Sequence, residues 1–201
     1  MTKKKRRATR STDWKAGTAP LYAKIGAEYY VAGRGAIERV HYQVAGNLLH
    51  HGFEMLLKFT LLHKNAYSTD ELQDKLSHSL PDLWQATRVV MGEWALRRNW
   101  SRFDDFIAAL HRFEDIRYGE FPVGLPKKIR VDKRSEAAAV PDMPGQDVYR
   151  IDLEKADELF VVLLAEGGLL HRSWVRSALI GPDAIADYER DNFHAVREED
   201  G

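Results

Sequence analysis

The sequence has no cysteine, no net charge and no long apolar run. The first absence excludes disulfides, thiolate zinc sites and a cysteine nucleophile, and it fits a reducing compartment. The longest apolar stretch, Phe53 to Leu62, is broken by Glu54, Lys58 and Thr60. It falls far short of the ~20 residues a membrane helix needs. No apolar segment follows the basic start "MTKKKRRATR" either, so no secretory signal is expected. Gly-x-Ser-x-Gly and Walker-type loops are also missing, and Ser77, Ser79 and Ser101 stand where caps and turns are expected. These absences predict a cytoplasmic protein with no membrane association, no cofactor and no catalytic residues of the common hydrolase or nucleotidase kinds.

The zero net charge conceals an asymmetry. Lys3, Lys4, Lys5, Arg6, Arg7 and Arg10 form a tail without an acid, so the rest of the chain carries the balancing negative charge. Such an arm can track a phosphate backbone, because each neutralised phosphate releases counterions; a solvated, disordered tail is the plainer reading. The predicted organisation is a basic tail over 1–17, one helical unit over 18–180 with an excursion at 122–147, and a C-terminal helix with an acidic tail over 181–201. A chain of 201 residues suits one domain, which buries roughly 70% of its unfolded surface.

Helical periodicity dominates from about residue 19, and strand signals are scarce. The first helix is predicted after Thr18, with Leu21, Ile25, Tyr29 and Ala32 as its apolar stripe and an end or kink at Gly33-Arg34-Gly35. A second is expected from about Ile37 to Leu62. Ser68 or Thr69 can cap a short turn, and Ser79 a third helix with Pro81 in its first turn. Ser101 is read as the cap of a fourth, whose stripe is Phe103, Phe106, Ile107, Leu110 and Phe113. Two β-prone runs, "KIRV" and "VYRI", can pair as a small hairpin around the excursion, which is otherwise a loop. Asp152 caps a fifth helix ending at Gly167-Gly168, and two peripheral helices follow. The expected fold is all-α: an antiparallel bundle of four to five helices.

On the second helix Gln43, Asn47, His50, His51, Glu54 and Lys58 share one band about 100° wide, and apolar residues fill the rest of the circumference. That pattern marks a central helix with one polar stripe. Helical i, i+3 spacing places ligand types together at Glu38/His41, His51/Glu54 and His111/Glu114. Only one pair runs in the Glu-x-x-His direction that ferritin-like centres use twice, so no metal site is expected. Successive side chains diverge by about 100°, which also argues against His50 and His51 sharing an ion.

Three pieces carry a family resemblance over about residues 20–122. "GFEMLLKFTLL" resembles the Glu-x-x-x-Lys helix of the HEPN family, named from higher eukaryotes and prokaryotes nucleotide-binding proteins; "SHSLPDLW" resembles its His-x-Leu helix entry and "FEDIRYGEFP" its Arg-Tyr ending. The resemblance implies a HEPN-like bundle, a homodimer, and a non-catalytic module binding a nucleotide or RNA, accessory to a defence or toxin–antitoxin system with a partner protein encoded beside it. It gathers Asn47, His50, Glu54, Lys58, His78, Arg117 and Tyr118 into one candidate ligand site. One branch of the family consists of metal-independent ribonucleases with an Arg-x4-6-His motif, but no histidine follows Arg117 at that spacing. Arg34 and His41 match the spacing in the first hairpin, where the family does not place it. A purely structural dimerisation protein is the third alternative.

Overall fold

The computed structural model describes residues 18–92, 99–117, 128–134, 147–170, 172–179 and 181–195. They are mostly helical: α1 (Thr18–Glu38), α2 (Tyr42–His63), α3 (Thr69–Lys75), α4 (Leu80–Met91), a 3-10 turn (Trp100–Phe103), α5 (Asp104–His111), α6 (Phe113–Arg117), α7 (Leu153–Glu166), α8 (Arg172–Ala178) and α9 (Pro182–Glu189). Two strands, β1 (Lys128–Asp132) and β2 (Val148–Asp152), lie between α6 and α7. No helix among the described residues is long and apolar enough to cross a membrane.

Helix α2 is the hub. It packs on α1, α4, α6 and α7, and from Gly52 to Leu62 nearly every residue is buried. Phe53 meets Tyr30 of α1 edge-on on one side and Phe106 of α5 on the other, at centroid distances of 6.2 and 5.4 Å. Tyr30 in turn stacks on Phe160 of α7 at 4.0 Å, so a single aromatic row threads four helices.

The α1 face departs from the sequence expectation. Ala19, Ala23, Ala27, Tyr30 and Val31 are buried, whereas Leu21 is 53% exposed and Ala32 also faces outward. Small side chains win this face because α1 and α2 nearly touch. A Cβ on Gly52 would stand 3.0 Å from the Tyr30 backbone nitrogen, and one on Gly33 2.8 Å from Leu49 Cγ. The same close approach carries α1 through Gly33-Arg34-Gly35 without a break, so the turn falls later, at Arg39 to His41, where Val40 takes a φ of 63°. Consequently α2 starts at Tyr42 rather than Ile37.

Three of the four expected helix caps form. Ser68 and Glu71 form a reciprocal capping box, Ser79 accepts from the Asp82 backbone, and Asp152 accepts from Lys155 N at 3.0 Å. The Ser101 cap is not found: that residue lies inside the 3-10 turn and donates to Asn99 Oδ1 at 2.7 Å. The fourth predicted helix is also two pieces, α5 and α6, separated at Arg112. Finally, the expected β-hairpin is a parallel pair, with Lys128 opposite Val148 and Asp132 opposite Asp152. Parallel strands need a crossover of a dozen or more residues, and the stretch from Lys133 to Asp147 is long enough to return the chain to the same end.

A buried polar clamp closes the far side of α1. Arg34, 2% exposed, bonds Asp157 of α7 and donates from Nε to the Asp187 carbonyl at 3.0 Å and from Nη2 to the Arg190 carbonyl. Tyr30 donates to Asp157 at 2.6 Å. Burial, then the Asp157 charge, holds the Tyr30 phenol well above its ordinary value, so it stays a donor.

Candidate functional site

Side chains four residues apart on a helix lie one above the other, which brings Glu54 and Lys58 of α2 together: Lys58 Nζ donates to Glu54 Oε1 at 2.7 Å. Three residues before Glu54, His51 Nδ1 reaches Oε2 at 3.1 Å. The fourth member comes from the connector between α3 and α4. Ser77 takes a left-handed φ of 45° after α3, and Ser79 caps α4, so His78 is held between two fixed helix ends. Its Nδ1 lies 2.8 Å from Glu54 Oε1.

Glu54 is 0% exposed and Lys58 7%, so one fully buried carboxylate receives three donors. Burial alone would raise its pKa; hydrogen bonds and charge from Lys58 and then His78 outweigh that and hold the carboxyl below the usual range. An ionised carboxylate only accepts, so both imidazoles present an Nδ1–H to it. Each Nε2 is then an acceptor or base when its ring is neutral and a second donor when the ring is protonated.

These four residues floor a groove of about 620 Å³ between α1, α2 and α3. Its walls are apolar, from Leu21, Tyr22 and Ile25 of α1, Met55 of α2 and Leu72 of α3, with Thr18, Thr69 and Gln73 also lining it. The α1 residues expected in the core are thus partly the groove wall. Tyr29 buttresses His51 edge-on at 5.1 Å. The volume is that of a site for a small organic ligand, and the combination of apolar walls with a few converging polar groups fits one.

The candidate set divides. Glu54, Lys58 and His78 meet in the groove. His50 is 4% exposed behind it, its ring 5.9 Å from and nearly parallel to that of His111 on α5, and Asn47 is half-buried one turn earlier. The expectation that His50 and His51 cannot approach one ion is not met: a nitrogen of each and an oxygen of Glu54 lie within 4.8 Å of one another. Rotation about the side-chain bonds swings rings together that leave the helix about 100° apart. The Arg117 side chain, Tyr118 and the tail residues Lys3, Lys4, Lys5, Arg6, Arg7 and Arg10 lie outside the described residues. Arg34, half of the stray Arg-x6-His match, is committed to Asp157 inside the molecule. His51, Met55 and Leu72 were missed as site residues; the helical projection already placed His51 beside Glu54, whereas the α1 and α3 walls require the tertiary fold.

Comparison of the chain with known protein families, with curated proteins and with solved structures finds no match.

Proposed function

We propose that the chain is a non-catalytic, HEPN-like helical module that binds a nucleotide or a nucleotide of an RNA strand in the α1–α2–α3 groove. One observation carries this reading. Glu54 and Lys58 from the Glu-x-x-x-Lys piece and His78 from the His-x-Leu piece, far apart in sequence, converge on the floor of one groove. Lys58 and the exposed His78 supply donors for a phosphate or a base edge, and Tyr22, Ile25 and Met55 supply faces on which a base packs. The homodimer, the defence or toxin–antitoxin role and the partner protein rest on the resemblance alone.

The test is fluorescence polarisation with labelled mononucleotides and short RNA in EDTA. His78→Ala and Lys58→Met should weaken binding by about tenfold or more while far-ultraviolet circular dichroism stays helical, since a charge-assisted hydrogen bond contributes about 1.5–3 kcal/mol. Unchanged affinity in both variants rejects the groove as the site.

A second reading has its own support. His51 and His78 are both anchored through Nδ1 to one carboxylate, which leaves two Nε2 atoms beside a lysine, an arrangement suited to acid–base cleavage of a phosphodiester. Denaturing gels of the same RNA mixtures distinguish it. Cleavage in EDTA that disappears in both His51→Ala and His78→Ala makes the module a ribonuclease; intact RNA keeps it a binder.

A further inference from the structure

A second cluster of ligand-type side chains lies behind the groove, where α2 meets the junction of α5 and α6. We propose that His50, His111 and Glu114 bind one divalent first-row transition-metal ion. One nitrogen of each imidazole and one carboxylate oxygen lie within 4.8 Å of one another. His111 Nδ1 and Glu114 Oε2 are 3.4 Å apart, already near the donor separation of a tetrahedral ion with bonds of about 2.0–2.1 Å. That His111 nitrogen is shielded from solvent and has no hydrogen-bond partner among the described residues, so a coordinate bond would satisfy it.

The alternative triad of His50, His51 and Glu54 is a poorer host. Glu54 already accepts from Lys58, His51 and His78, and an entering cation would meet the Lys58 ammonium. Among the described residues the ion-pair partner of Glu114 is His111 itself, a group that ligates once deprotonated. Two imidazoles and a carboxylate favour zinc, cobalt, nickel or iron over magnesium or calcium. Three protein donors leave a position for water or an anion, as open metal sites do and closed structural ones do not. Bound there, the ion would tie α2 to the α5–α6 junction independently of the groove.

Tag-free protein stripped with EDTA is titrated with Co2+ by visible absorption and with Zn2+ by calorimetry. One ion per chain, intense d–d bands and a higher melting temperature with Zn2+ are expected. His111→Ala and Glu114→Gln, both at half-buried positions, should retain helical circular dichroism and weaken binding by more than about a hundredfold, beyond the loss of an outer-shell contact. The exposed His41→Ala should bind as the parent does. No saturable Co2+ binding, or binding that survives both ligand substitutions, overturns the assignment.

Discussion

Replacing Glu54 by Gln tests the reasoning about the buried network most directly. The carboxylate is wholly buried and holds a lysine that is 7% exposed, so neutralising it leaves an ammonium in the interior without its counter-ion. Breaking such a pair by removing one partner costs about 3–5 kcal/mol. The amide oxygen still accepts from Lys58, which places Glu54→Gln near the lower end, at about 3 kcal/mol. Lys58→Met should cost less, about 1–2 kcal/mol, because His51 and His78 remain donors to the carboxylate. The double variant, with both charges gone, should then lose less than the sum by about 2 kcal/mol. For a domain of this size each kcal/mol shifts the melting temperature by about 2–4 °C, so Glu54→Gln should melt about 6–12 °C lower. Urea unfolding followed by circular dichroism supplies the four free energies. A Glu54→Gln variant within about 0.5 kcal/mol of the parent, or single effects that simply add, would refute the buried-pair argument.

Acid should act through the same group. Its folded pKa lies below its ordinary value of 4.5, so the stability it contributes is present above that pH and is lost as pH falls through the folded value; a melting series from pH 7 to 3 should show a decline that is shallower in Glu54→Gln, with the similarly lowered Glu71 carboxyl still contributing. Arg34→Met should cost about 3–5 kcal/mol by stranding Asp157, and should speed amide exchange selectively over residues 187–195, which it holds through the Asp187 and Arg190 carbonyls. Gly46→Ala puts a Cβ within 2.0 Å of the Phe113 ring, so that ring must move; a loss of about 1–3 kcal/mol in chemical unfolding is expected, and an unchanged midpoint would contradict the packing.

The parts of the fold that depend on neighbours in sequence were legible from sequence. Ser79 and Asp152 announce helix starts because an N-cap is a local bond, and the α2 stripe announces a hub because one helix carries its own polar and apolar faces. The α1 face was not legible. Its buried stripe is built from alanines and glycines, chosen for how closely α2 can approach, while the bulkier Leu21 and Ile25 were left for the groove. Nor does a four-residue β-prone run state its direction, so "KIRV" and "VYRI" gave pairing but not parallel pairing. At the site, Glu54 and Lys58 share a helix face and His78 was placed by the resemblance. His111 with Glu114 was visible only as an i, i+3 pair, since its approach to His50 depends on how α5 docks against α2.

The Arg34 clamp bears on how the chain reaches this state. The α1–α2 hairpin is built from short-range contacts and can form early, but the partners of its buried guanidinium lie 123 to 156 residues further along. During synthesis the hairpin must therefore wait with a cation on its inner face until Arg190 has emerged. Over that interval the exposed surface of α1 and α2 offers chaperones a target, and a chain interrupted before α9 would keep that target permanently.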